Sequence, residues 1–273
     1  MLLVWSASPE IFTLGPLRLR WYGLMFLAGF AIGLQLMKWV CSREGKDPTK
    51  LESLLVHLVL GTTIGARLGH CLFYDPIFFL THPLDILKIW EGGLASHGGG
   101  LGVICALYLF SRKNPEFSFW WLLDRISIFT VMTGSFIRIG NLMNSEILGK
   151  PTQSNWGVIF TRVDQVPRHP AMIYESIWYA IVFFVSFGLY RKLGTRMRDG
   201  FYFGLVISGI MAGRFVIEFF KEVQEAFERS LPINMGQILS IPFIAVGLIL
   251  VVRSIGRLGV GQDVAQSTSP RGK

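Results

Sequence analysis

Residues Leu19–Cys41 read LRWYGLMFLAGFAIGLQLMKWVC. This stretch is apolar almost throughout, and about 20 such residues carry a helix across a hydrocarbon core roughly 30 Å thick. Comparable runs follow at Leu51–Tyr74, Leu94–Phe110, Phe119–Leu142, Ala171–Tyr190, Gly200–Phe220 and Met235–Val252. The pattern predicts an all-α membrane protein with about seven transmembrane helices. The third and seventh runs are short, and the fourth and sixth carry internal charges. Composition points the same way: 51% of the chain is hydrophobic and only 16% charged, with 22 Phe and 8 Trp. A soluble chain of this length needs more charge to cover its surface. Residues 1–258 read as one polytopic membrane domain, and 259–273 as a polar, disordered cytoplasmic tail.

The net charge of +8 does not point to nucleic acid, because no basic run is interleaved with aromatics. The basic residues lie mostly in short loops, where they orient a membrane protein. One set of loops carries Arg43, Lys46, Lys50, Arg112, Lys113, Arg191, Lys192, Arg196, Arg198, Arg253 and Arg257, and belongs in the cytoplasm. The N-terminus is then outside and the C-terminus inside. Met1–Arg20 lacks a basic segment ahead of its apolar residues, so no cleaved signal peptide is expected. Cys41, Cys71 and Cys105 are scattered through apolar segments and read as small hydrophobes. Outside the membrane, Asp75–Gly93 has the pattern of an interfacial segment. Met143–Pro170 is long for a connection, which suits a functional loop.

An ionisable side chain at membrane depth is costly unless it is paired or faces a polar cavity, so it marks a functional site. The candidates are Tyr22, Arg67, His70, His97, Arg138, Asn141, Asn144, Glu146, His169, Glu175, Arg214 and Glu218. In the N-out orientation nearly all fall in the outer half, which predicts a polar cavity there. Arg214 and Glu218 are spaced i, i+4 and are able to neutralise each other. Tyr22 alone would suit an interfacial anchor. Arg67 and His70, among Gly65, Ala66 and Gly69, suit packing and internal hydrogen bonds. Asp124 and Arg125 sit near the inner boundary and are expected to snorkel. Arg138 has no acid on its own helix face before Glu146, so it wants an anion: an acid on another helix or a phosphate.

The third run opens with Glu91-Gly92-Gly93-Leu94-Ala95-Ser96-His97-Gly98-Gly99-Gly100-Leu101-Gly102. Such dense glycine allows close approach by a ligand or by another backbone, and small residues also favour helix packing. His97 within it favours a site.

Taken in order, these residues resemble the prolipoprotein diacylglyceryl transferase family. The matching segments are Arg20-Trp21-Tyr22-Gly23, Gly65-Ala66-Arg67-Leu68-Gly69 and His97-Gly98-Gly99. The family signature R-x-G-N-F-x-N-x-E-x-x-G is similar to Arg138-Ile139-Gly140-Asn141-Leu142-Met143-Asn144-Ser145-Glu146-Ile147-Leu148-Gly149. Arg168-His169-Pro170 with Tyr174-Glu175, Arg214 with Glu218-Phe219-Phe220, and Met235–Pro242 correspond as well. The chain departs from the family pattern at Ile137, Leu142, Ile210 and Lys221.

The resemblance implies that phosphatidylglycerol gives its diacylglyceryl group to the lipobox cysteine of a preprolipoprotein signal peptide at the bacterial cytoplasmic (inner) membrane, with the site on its extracytoplasmic side. A thioether forms and glycerol phosphate leaves. On this reading His97 is the base that takes the thiol proton, since a cysteine pKa near 8.5 leaves little thiolate at neutral pH. Arg138 and Arg214 hold the phosphate and, with Tyr22, complete the catalytic group. Asn141, Asn144, Glu146, Gly149, Gly98 and Gly99 are expected to bind the lipid, with His169, Glu218 and Arg67 as secondary candidates. No metal or cofactor is expected: the histidines form no HExxH, and the reaction is a displacement at carbon. A transporter or channel binding an anion is the main rival. It would call for polar residues through both bilayer halves and for repeat symmetry, and neither is evident.

Overall fold

The computed structural model describes residues 2–15, 17–89, 93, 95–222 and 233–255. The expected tail from Gly259, together with Trp90, Glu91, Gly92 and Leu94, lies outside the described residues. Six described helices are long and apolar enough to cross a membrane: Trp21–Arg43, Lys50–Phe73, Phe119–Asn144, Ala171–Arg196, Phe201–Phe220 and Met235–Ile255. They contain helices α1 (Trp21–Arg43), α2 (Lys50–Phe73), α5 (Phe119–Asn144), α6 (Ala171–Leu193), α7 (Phe201–Ile217) and α8 (Met235–Ile255). The third expected run corresponds to α4 (Ser96–Lys113), whose glycine-rich first turns dilute its hydropathy. A short α3 (Pro76–Thr81) precedes it.

The chain divides into two compact units, residues 37–123 and residues 1–36 with 124–273. The smaller unit is built on α2 and α4, which approach backbone to backbone. A Cβ on Gly61 would lie 2.6 Å from the Gly102 carbonyl oxygen, and one on Gly69 would lie 2.8 Å from Gly98 Cα. Added carbons on Gly98 and Gly102 would run into the Gly65 and Gly61 carbonyls. Gly98 and Gly102 therefore serve helix packing, one of the two uses open to them in the sequence. At the far end of this pair Phe110 and Phe117 are fully buried, and the Lys46 ammonium sits over the rings of Phe117 (5.2 Å) and Trp121 (4.9 Å). Between α2 and α4, Ile77, Leu80, Leu84 and Leu87 are all exposed, the surface expected of an interfacial segment.

In the larger unit a second glycine contact closes α7 on α8. The Gly204 and Gly247 positions each place an added Cβ 2.7 Å from the other's carbonyl oxygen. Asp124 and Arg125 correct the expectation that they snorkel, since their residues are 0% and 2% exposed. Asp124 accepts hydrogen bonds from the backbone N–H of Gly200 (2.9 Å) and Phe203 (2.8 Å), groups that a helix start leaves without partners. Arg125 neutralises it at 3.6 Å and lies 5.9 Å from the ring centroids of Tyr190 and Tyr202.

Short strands gather at the α1 start and the α5–α6 connection. Strand β1 (Leu3–Trp5) runs parallel to β4 (Val158–Phe160), which pairs antiparallel with β5 (Pro167–Arg168). A hairpin of β2 (Glu10–Leu14) and β3 (Leu17–Arg20) leads into α1. Phe160 and Met172 are fully buried beneath Trp5, Leu142 and Leu148. Arg168 binds Asp164 at 2.6 Å and Glu222 at 3.0 Å. The Arg168 guanidinium, by hydrogen bond, holds the Asp164 carboxyl below its ordinary range.

Candidate active site

The end of α5 carries the densest polar network. Arg138 points Nε at Glu175 Oε2 (2.8 Å) on α6 and donates from Nη1 to Asn141 Oδ1 (3.1 Å). Its guanidinium carbon lies 6.0 Å from the centroid of the Tyr179 ring. Asn141 Nδ2 donates to Glu146 Oε2 (3.1 Å), and Asn144 Nδ2 donates to Glu146 Oε1 (2.9 Å). Backbone geometry makes this return possible. Ser145 and Ile147, on either side of Glu146, adopt φ of +56° and +57°. That conformation is strained for a β-branched residue and costs on the order of 1–3 kcal/mol. The reversed chain lets Glu146 bond from N–H to the Asn141 carbonyl (3.0 Å), bringing its carboxylate back over the helix end.

Of the partners the sequence allowed for Arg138, the structure selects Glu175, which is 1% exposed. A buried ion pair of this kind fixes the guanidinium but leaves open whether it also meets a ligand.

Arg214 differs from the i, i+4 expectation. It makes no ion pair among the described residues, and its buried Nε lacks a hydrogen-bond partner there. The reason is local. Helix α7 ends at Ile217, but the Glu218 N–H still bonds to the Arg214 carbonyl, so it is the Glu218 side chain and not its backbone that turns elsewhere. The Glu218 carboxylate turns to Lys221 Nζ (3.4 Å), which also meets Glu175 Oε1 (3.5 Å). A Cβ on Gly236 would come within 2.6–2.8 Å of this carboxylate. Lys221, which sequence reasoning treated as a loop charge and a departure from the family, is therefore a buried cation, 7% exposed. Tyr179 was also overlooked. It is buried on α6 one turn beyond Glu175, and both Arg138 and Arg214 act on its hydroxyl electrostatically. The i, i+4 spacing of Glu175 and Tyr179 was the available signal.

Gly149 is closed by three chain segments. Its N–H donates to the His169 carbonyl (2.9 Å), while Lys150 N–H donates to Phe220 (2.8 Å) and His169 N–H to Lys150 (3.0 Å). A Cβ on Gly149 would lie 2.6 Å from His169 Cβ and 2.7 Å from the Phe220 carbonyl oxygen. His169 Nδ1 lies 3.1 Å from the Tyr174 hydroxyl, and its ring packs on Phe220 at 5.2 Å. Tyr22, near the start of α1, covers Gly140, where a Cβ would come 2.9 Å from its ring. Its hydroxyl is within electrostatic reach of Glu146 and Arg138.

The other candidates belong to the smaller unit. His97 is exposed as the second residue of α4, next to the buried Gly98 and Gly99. Arg67 donates to the carbonyls of Ile86 (2.9 Å), Gly93 (3.2 Å) and Asp85 (2.5 Å), and stands over Phe79 at 5.1 Å. It thus clamps the segment that leads into α4. Gly93 has φ +70°, and any side chain there would strike His70 and Arg67.

These features define a polytopic helical membrane protein with an ionised network at the end of one span and an arginine, Arg214, whose buried Nε has no partner among the described residues. Residues 9–253 match the family model described as prolipoprotein diacylglyceryl transferase. The chain is 48% identical over 253 residues to the phosphatidylglycerol–prolipoprotein diacylglyceryl transferase of Tolumonas auensis, covering 93% of this chain and 98% of that protein. It is 44% identical to the protein of the same name from Chloroherpeton thalassium (93% and 94% covered). The one from Porphyromonas gingivalis is 42% identical (93% and 95% covered). The chain belongs to the prolipoprotein diacylglyceryl transferase family.

Proposed function

We propose that this protein transfers the diacylglyceryl group of phosphatidylglycerol to the lipobox cysteine of preprolipoproteins in the bacterial cytoplasmic membrane, acting on its extracytoplasmic side. The observation that carries the reading is the family match along residues 9–253. The polar atoms left without partners support it. Among the described residues, Arg214 Nε is a buried donor without an acceptor, Asn144 Oδ1 a buried acceptor without a donor, and Ser145 Oγ can be either. A phosphate oxygen answers the first, and glycerol hydroxyls answer the others.

In the reaction the cysteine sulfur attacks the diacylglyceryl carbon that bears the phosphate ester. The S–C bond forms as the C–O bond breaks, and glycerol phosphate leaves with the bonding electrons. His97 takes the thiol proton, a role within reach of a neutral imidazole. Arg214 and Arg138 bind the phosphate and the charge that grows on it at departure. Asn141, Asn144 and Glu146 orient Arg138 and the glycerol hydroxyls, and Tyr22 covers the same helix end. Gly149 keeps the connecting segments close, and Gly98 and Gly99 give His97 its setting. His169 is a weaker base candidate.

The test is to incubate the purified protein with labelled phosphatidylglycerol and a lipobox peptide and to look for a thioether-linked diacylglyceryl peptide. His97→Gln should remove that product while the protein stays folded; near-full activity in the folded variant would end the base role. Cysteine labelling in cells should reach Gln153 from outside and Thr195 only from the cytoplasm. Reversed accessibility would overturn the orientation.

A further inference from the structure

Four charges meet where the 3-10 turn after α7 packs on α6. Glu175 and Glu218 are 1% and 7% exposed, and Lys221 Nζ lies between them at 3.5 and 3.4 Å. Arg138 is committed to Glu175 at 2.8 Å. Arg214, four residues before Glu218, has a buried Nε with no partner among the described residues. Two buried carboxylates thus share two cations, and the third cation, Arg214, is in no ion pair among the described residues.

That third cation has an obvious competitor for any ligand. Glu218 is its i+4 neighbour, the spacing at which an acid and a base on a helix pair by default. What draws Glu218 away is the counter-charge that Lys221 offers on the other side. Lys221 is itself fixed by main-chain bonds. Its N–H donates to the Glu218 carbonyl (3.3 Å), its backbone forms an isolated antiparallel β-bridge with Gly149, and the flanking Phe220 and Glu222 bond to Lys150 and Leu148. A buried carboxylate deprived of its cation takes the nearest one available, because an unpaired buried charge is costly.

We propose that Lys221 is a positioning residue: by holding Glu218 beside Glu175 it keeps the Arg214 guanidinium open for the phosphate of the lipid substrate. The assignment rests on the reading above, in which Arg214 meets that phosphate. Without the Lys221 charge, Glu218 swings to Arg214 and competes with the lipid. The effect falls on substrate binding, and neutralising Glu218 relieves it.

The experiment measures kcat and KM for phosphatidylglycerol with a lipobox peptide at saturation, on detergent-purified protein whose folding is checked by melting temperature and monodispersity. Lys221→Met should raise KM about tenfold or more, the size of one lost charged contact, with kcat far less changed. Lys221→Arg, which keeps the charge, should stay near wild type. Adding Glu218→Gln to Lys221→Met should lower KM again, a rescue that a purely structural role for Lys221 does not produce. A folded Lys221→Met with wild-type KM, or a double variant no better than the single, overturns the assignment. Lys221→Gln makes the same comparison if the methionine variant does not fold. If neither does, Lys221→Arg decides, and a raised KM there counts against the proposal. Failure of the wild type to form the thioether at all would instead remove the underlying function.

Discussion

Arg67 and Arg138 are both arginines in membrane-spanning helices, one in each compact unit, and their surroundings are opposite in kind. Arg67 spends its donors on the backbone carbonyls of Asp85, Ile86 and Gly93. Such acceptors neither titrate nor leave, so the guanidinium acts as a clamp on the chain. Arg138 faces side chains instead: Glu175, Asn141 and, through Asn141, Glu146. Those partners can rotate, and Arg214 in the same unit has no acid at all among the described residues. A charged residue in a span is therefore not a site by virtue of its charge; what its donors meet decides between a clamp and a binding group.

The strongest way to break the comparison is to attack the smaller unit where it has no room. Gly102→Leu drives a side chain into the Gly61 carbonyl, and overpacking of this kind costs about 3 kcal/mol or more where backbone cannot yield. The expected outcome is loss of folded protein, read as yield and melting temperature in detergent. Normal stability would mean that α2 and α4 do not depend on that contact.

The same chemical change at the two arginines should then give different losses. Arg138→Lys keeps a charge for Glu175 but removes the planar fork, so phosphatidylglycerol affinity should fall by about 1.5–3 kcal/mol with folding intact. Unchanged affinity with instability as the only defect would make Arg138 a clamp like Arg67. Arg67→Lys should cost about 1–2 kcal/mol of stability and leave the KM of the folded enzyme alone; a raised KM would erase the distinction.

The smallest effect concerns the strands of the larger unit. Asp164 has a lowered pKa in the folded protein through Arg168, so its contribution is present above the unfolded carboxylate value of about 3.9 and is lost as pH falls through the lower, folded value. The pair is partly exposed, so the gain is slight. Melting curves of wild type and Asp164→Asn should differ slightly at neutral pH and converge on acidification below about pH 4. A gap that persists in acid would assign the difference to packing.

Hydropathy made the spans legible, since each run must bury or face lipid along its whole length. The candidate residues were legible too, because a charge in an apolar run has few reasons to be there. Pairings were less so. Arg214 and Glu218 have the right spacing, but the Glu218 carboxylate goes to Lys221 instead, a choice that nothing local announces. Lys221 looks like an ordinary loop cation until its main chain is seen bonded to Gly149 and its neighbours. The strands were missed because β1 pairs with β4 across most of the chain, a contact that no local pattern encodes. Asp124 was misjudged for a related reason: its partners, Gly200 and Phe203, are distant in sequence.

The Gly149 crossing has a dynamic consequence. Residues 148–150, 168–169 and 220–222 lie between or at the ends of the helices, yet their N–H groups are tied to one another's carbonyls, and Gly149 leaves no room for a side chain between them. Parting any one from the others breaks several bonds at once, so the three open as a single cooperative element, with an opening free energy nearer that of the helices than that of a loop. The charged side chains anchored on that element are then held still on the timescale over which an ordinary surface connection would wander.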